Sequence, residues 1–375
     1  MHRSLLIRNG DLVLSDRILR RTDVLIRDRT IAALGSAARS TPRIPRPKII
    51  DAKGYFVAPG FIDTHIHGEP DQIFRNEVRY GTTSIVPAIS CASLPEIRRR
   101  VERIERFAAQ AALGSSVLGV RLEGPFISRK RRGAQKASHI RAARPAEAQI
   151  VFRHCGRSLR MITIAPELKG SPAIIRFFVK KKVIVSLGHS DATLKEAVEG
   201  IDAGISHATH IFNAMRPIDR REPAVTAAAL FDRRVTAEII LDKVHVHPAL
   251  FSLLVRTKGL DRIILVTDSI VADRPRRSRM IHGAFRLNDG TIAGSALTMN
   301  VAVRHAVESG GISLPEAVRL ATANPARLLG IYRRKGSIAA GKDADIVIFD
   351  RRITVRACII QGAVVYAQHK DLLKE

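Results

Sequence analysis

The chain has 375 residues, 46% of them hydrophobic, enough for one large domain with an accessory piece or for two medium domains around a substantial core. Lys and Arg (62) outnumber Asp and Glu (35) for a formal charge of +27, but the basic runs are scattered, Trp is absent and Tyr occurs four times. Specific nucleic-acid binding is therefore not expected, and most of the charge reads as solvated surface that would attract an anionic ligand.

The first residues, MHRSLLIRNGDLVLSDR, carry charges and no long apolar run, and nothing later reaches the roughly 20 apolar residues of a membrane span. Cys91, Cys155 and Cys358 are odd in number and far apart. A cytoplasmic protein with reduced, structural cysteines and no membrane association is expected. Residues 1–57 hold short alternating stretches, SLLIRNGDLVL, DVLIRDRTIAAL and PKIIDAKGYFV, which predict antiparallel strands. The pattern resumes in KGSIAAGKDADIVIFD and VRACIIQGAVVY. Segments 1–57 and 336–375 are therefore expected to form one small sheet domain interrupted by the insertion 58–335.

Within the insertion, eight apolar runs of strand length alternate with segments that fit helices. The runs are FIDTHIH, TTSIVPAI, SVLGVRLEG, RMITIAPE, KVIVSLGHS, GISHATHIF, VTAEIILDKVHV and RIILVTDS. Eight strand-helix units predict a closed (β/α)₈ barrel, whose chemistry sits at the C-terminal ends of its strands. His65 and His67 end the first run, Glu123 the third, His189 the fifth, His210 the sixth, His245 the seventh and Asp268 the eighth. Residues two apart on a strand share a face, so His65 and His67 both enter the barrel mouth. With Glu123, His189, His210 and Asp268 they offer nitrogen and oxygen donors for Zn²⁺, Fe²⁺ or a similar divalent ion, enough for two ions if the carboxylate bridges. Such an ion acidifies water near neutral pH. A lone His in an apolar segment is ordinarily a core residue, and His154, His305 and His369 are read that way.

The segments PGFIDTHIHG, LEGPFIS, SLGHSDAT, THIFNAM, REP, HVHP, VTDS, GSALTM, ATANPARLLG and KGSIAAGKDADIVIFD, in this order, resemble the N-acetylglucosamine-6-phosphate deacetylases of the amidohydrolase superfamily. The resemblance implies a metal-dependent amidohydrolase barrel with a small β-sandwich domain built from both chain ends. It implies that Glu123, His189 and His210 hold one metal ion, and that His65 and His67 go with a second. Asp268 would be the catalytic acid and base, and His245, with His247 as its rival, would hydrogen-bond the carbonyl oxygen. Ala134, Asn213, Ala214, Ile292, Ala293 and Gly294 would line the substrate pocket, and Arg221, with Arg216 and Arg220 as rivals, would meet the 6-phosphate. The family also implies a homodimer.

Three departures stand out. The Gly-rich loop usual after the HxH pair is missing, Gln135 stands where a pocket imidazole is usual, and Pro223 is not followed by Gly. The function implied is hydrolysis of N-acetylglucosamine 6-phosphate to glucosamine 6-phosphate and acetate, in amino-sugar catabolism and cell-wall recycling. The nearest alternative is action on N-acetylgalactosamine 6-phosphate or another N-acyl substrate. An alternative of another class, a basic nucleic-acid-associated protein on an inactive amidohydrolase scaffold, fits poorly with an intact ligand set.

Overall fold

The computed structural model describes residues 4–40, 47–110, 115–272, 278–369 and 373–374. Eight parallel strand segments form the barrel in chain order: Phe61–Gly68, Thr82–Ser90, Val120–Phe126, Leu159–Ile164, Ile184–Leu187, His207–Ala208, Thr236–Ile240 and Ile263–Val266. The first and second are buried along nearly their whole length, as expected of strands covered on both faces, and this is why they read as continuous apolar runs. The last strand closes the ring through a corner. Ile263–Val266 pairs with the seventh strand; after Thr267 and Asp268, the segment Ser269–Ala272 pairs with the first, Ser269 opposite Ile66. At the corner the Asp268 amide donates to the His65 carbonyl (2.8 Å), and the Thr267 hydroxyl donates to Asp63 (2.6 Å).

The long helix Leu94–Gln110, outside the ring, is amphipathic. Its Ile97, Val101 and Ile104 recur at helical spacing and are buried in the main core, while Arg98 and Glu102 pair on the outer face. Leu194–Asp202 starts at a capping box in which the Thr193 side chain accepts from the Glu196 amide and Glu196 reaches back to the Thr193 amide. The first strand is followed at once by the helix Pro70–Glu77. Among the described residues, no helix is long and apolar enough to cross a membrane.

The chain ends share a second sheet centred on Ser4–Val13, which curls around a core of its own that includes Leu5, Ile7, Val24, Ile26, Ile346, Ile348 and Ile359. The expectation of antiparallel pairing throughout is corrected here. Ser4–Val13 pairs antiparallel with Ile18–Arg27 but parallel with Lys48–Asp51 and Phe56–Pro59. The chain travels through the strand Thr30–Leu34 and the helix Ser36–Ser40 before returning, a crossover long enough for parallel pairing. Ile346–Phe349 then extends the sheet from Phe56–Pro59, antiparallel.

Candidate active site at the barrel mouth

The six donor residues meet at the C-terminal ends of the strands, in two groups: His65, His67 and Asp268, and Glu123, His189 and His210. In each group the ligand atoms lie within 4.8 Å of one another, and all six residues are buried. Glu123 spans the groups. Its Oε1 is 2.8 Å from His189 Nε2 and 2.9 Å from His210 Nε2, and its Oε2 is 3.4 Å from His67 Nε2. Asp268 Oδ1 lies 3.3 Å from His65 Nε2 and 3.2 Å from His67 Nε2, and the two imidazole nitrogens face each other at 3.3 Å.

Local backbone explains the convergence. His189, His210 and Asp268 each lie two residues past the end of a strand, with φ of 47°, 29° and 47°. The left-handed region is uncommon for residues with a Cβ, costs on the order of 1–3 kcal/mol each, and concentrates at functional sites. Here it turns the backbone out of the strand while the side chain stays over the barrel axis. Gly294 serves the same corner, since a Cβ there would stand 3.0 Å from the Asp268 carbonyl and 2.5 Å from Ile270.

The electrostatics draw in positive charge. Burial alone would raise the Glu123 carboxyl, but the hydrogen bond and charge of His189, then His210 and His65, hold it well below the usual carboxylate range. Burial and the Arg121 charge oppose protonation of His65, yet Asp268, Glu123 and Glu238 outweigh them and push its pKa up to about 10. Imidazole nitrogens and carboxylate oxygens facing inward, with a surplus of negative charge, suit a divalent ion. Other contacts fix the donors. His189 Nδ1 donates to the Arg131 carbonyl (3.0 Å), and Gln135 donates to Glu123 Oε2 (2.6 Å) while accepting from the Cys91 amide (2.7 Å). Gln135, read from the sequence as a substituted pocket residue, thus also holds the carboxylate that joins the two groups.

A cavity of about 340 Å³ opens above the donors. His67, Glu123, Ala134, Gln135, His189, His210, Asn213, Ala214, His245, Asp268, Ile292, Ala293 and Gly294 are all on its wall. Part of its wall comes from the strand Ile292–Ser295, which pairs antiparallel with Ala284–Arg286 and through it with Arg279–Ile281, three strands that the sequence pattern does not predict. Arg221 is not on the wall; it is exposed, its amide donating to Asp219.

The seventh run is shorter than its sequence suggested. The strand stops at Ile240, because Asp242 accepts from the amides of Val244 and His245 and turns the chain. His245 therefore reaches the cavity from a loop, with its Nδ1 held 2.6 Å from Asp242 Oδ2 and Nε2 left as the other ring nitrogen. Its rival His247 is exposed and caps the helix Pro248–Lys258 by accepting from the Ala249 amide. Asp242 was missed in the sequence; its only signal was the D-x-x-H spacing. Also missed was a buried layer below the donors, comprising Glu238, Arg121 and His207.

Residues 56–368 match the model of the amidohydrolase family. The chain is 32% identical to the N-acetylglucosamine-6-phosphate deacetylase of Bacillus subtilis strain 168 over 98% of each chain. It is 33% identical to an N-acetylgalactosamine-6-phosphate deacetylase of Escherichia coli O157:H7, over 82% of this chain and 86% of that one. Among solved structures, it resembles a Mycobacterium smegmatis N-acetyl-D-glucosamine-6-phosphate deacetylase, an aspartate-to-alanine variant in complex with N-acetyl-D-glucosamine-6-phosphate. The TM-score is 0.85 and the identity 32%, covering 98% of this chain and 100% of that chain. With the donor groups of its barrel mouth, this chain belongs to the amidohydrolase family and, within it, to the N-acetylglucosamine-6-phosphate deacetylases.

Proposed function

We propose that the protein hydrolyses the acetamide of N-acetyl-D-glucosamine 6-phosphate, giving D-glucosamine 6-phosphate and acetate, as a cytoplasmic enzyme of amino-sugar catabolism. The observation that carries this reading is the cavity of about 340 Å³ whose wall brings His245 together with donors of both groups, Asp268 among them. Full-length likeness to a deacetylase seen with that sugar supports it.

Glu123, His189 and His210 would hold one divalent ion, and His65, His67 and Asp268 a second, with Zn²⁺ the best match to the donors and Fe²⁺ an alternative. When bound, such ions acidify water and polarise a carbonyl. Asp268, on the cavity wall, takes the proton of the water that attacks the acetamide carbon and passes a proton to the departing amine nitrogen as the C–N bond breaks. His245 faces the carbonyl oxygen through Nε2 and supports the negative charge that grows there. With Nδ1 donating to the Asp242 carboxylate, donation from Nε2 to that oxygen requires a proton on both ring nitrogens.

Asn213 and Ala214 would orient the sugar, with Ala134, Ile292, Ala293 and Gly294 around it. Arg221, exposed outside the cavity wall, fits a role at the rim, where a phosphate projects to solvent and a second subunit of a homodimer completes its site.

A second reading has a specific observation behind it, because the N-acetylgalactosamine-6-phosphate deacetylase matches at 33% identity, within the 31–34% span of the glucosamine enzymes. Turnover of the purified protein on N-acetylglucosamine 6-phosphate, its galactosamine epimer and unphosphorylated N-acetylglucosamine decides between them. The proposal expects the first to be fastest and the last to be slow; a preference for the epimer would establish the second reading, and no turnover of either phosphorylated sugar would refute both.

A further inference from the structure

Below the donor cluster lies a carboxylate that the reaction just described does not use. Glu238 sits inside the seventh strand between Ala237 and Ile239, is fully buried, and points into the barrel, where an ionised side chain costs several kcal/mol unless its neighbours satisfy it. Five other residues do so. Oε1 accepts from Arg121 on the third strand, from His207 Nε2 on the sixth (2.9 Å) and from the Thr64 hydroxyl on the first (3.4 Å). Oε2 faces His65 Nδ1 at 3.3 Å and the His210 amide at 3.4 Å. Arg121 is itself held by the Thr209 hydroxyl (2.8 Å) and the Thr64 carbonyl (3.2 Å).

A plain counter-ion for Arg121 needs only Oε1. The other oxygen touches one residue from each donor group, which an Arg partner alone does not require. From this we infer that Glu238 is a positioning residue for the metal centre: Oε2 keeps the His65 proton on Nδ1 and turns the Nε2 lone pair toward His67 and Asp268, while steadying the main chain of His210. The inference rests on the two-ion reading given above. Carboxylates behind metal-binding histidines fix tautomer and ring orientation, and their loss weakens metal binding by about ten- to a hundredfold.

The test compares Glu238→Gln with the double variant Arg121→Met/Glu238→Gln, which removes both buried charges so that no unpaired Arg remains. Metal ions per chain are counted after dialysis at limiting Zn²⁺, with release followed by a chromophoric chelator. Wild type is expected to keep two ions, and both variants one, the second leaving about ten- to a hundredfold more readily. Adding His189→Asn to Glu238→Gln should remove the remaining ion, whereas adding His67→Asn should not. In the Zn²⁺-loaded wild type, nitrogen-15 histidine spectra should also show His65 protonated on Nδ1, the resonance being assigned by its loss in His65→Asn. Two ions held as tightly as in wild type by either variant, or His65 without a proton on Nδ1, would overturn the inference. A single ion in wild type would instead overturn the two-ion reading on which it rests.

Discussion

The barrel mouth and the sheet built from the two chain ends are both made of β-strands, but they differ in what they bury. The terminal sheet encloses Leu5, Ile7, Val24, Ile26, Ile346, Ile348 and Ile359, an apolar core. The mouth encloses four histidines, Glu123 and Asp268, with three of these six in left-handed backbone. Apolar burial stabilises at roughly 25 cal/mol per Å², whereas crowded polar groups and strained φ values cost stability. The rest of the fold must supply the rigidity that the mouth consumes. Substitutions should therefore separate: those at the mouth change chemistry and spare the fold, and those in the terminal sheet do the reverse.

The largest effect is expected for Asp268→Asn, which keeps the side chain's shape and removes the proton acceptor. Turnover should fall about a thousandfold while the thermal midpoint stays level or rises; near-normal turnover would break the comparison at its functional end. Ile348→Ala, in the terminal sheet, should cost about 2–5 kcal/mol in denaturant unfolding and leave kcat per folded molecule unchanged. A large loss of kcat there would mean that the two regions are coupled.

Glu77 tests the border between the regions, on the helix that follows the first barrel strand. Burial, then the nearby Asp63, raises its pKa from 4.5 to about 8. The unfolded chain ionises this carboxyl near 4.5, so native stability is lost as pH rises from about 4.5 to about 8 and levels off above that. Glu77→Gln should remove this dependence. It should match wild type near pH 4 and exceed it at pH 9 by on the order of a few kcal/mol in denaturant melts; parallel curves at the two pH values would show that the carboxyl is not held protonated. The smallest effect is expected at the rim. Arg221→Ala should raise KM for the phosphorylated sugar by about tenfold or more, from the loss of one charged hydrogen bond, and leave both kcat and the unphosphorylated sugar unaffected. Equal KM shifts for both sugars would remove Arg221 from phosphate recognition.

The contrast between regions also explains what the amino-acid sequence reveals. The barrel strands are legible because strands covered on both faces leave continuous apolar runs, and His65, His67, Glu123 and Asp268 are conspicuous as polar residues at the ends of such runs. His189 and His210 lie two residues beyond their strands and are still legible, because the apolar run stops next to them. His245 was found but set in a strand, since Val244 and Val246 continue an apolar pattern that the Asp242 turn interrupts. Glu238 and Arg121 were not found at all. Their meaning lies in facing each other from strands 117 positions apart, and alternation along one strand shows which face a residue takes but not what stands opposite. The same limit hid the parallel pairing of Ser4–Val13 with Lys48–Asp51, because alternation does not encode a partner's direction.

The central claim is that the donors at the mouth hold divalent ions without which the amide is not cleaved. Metal analysis of the purified protein, paired with deacetylation of N-acetylglucosamine 6-phosphate before and after exhaustive chelation, tests it most directly. The expected result is two divalent ions per chain, loss of turnover on their removal and recovery when Zn²⁺ is returned; undiminished turnover in stripped protein would contradict it.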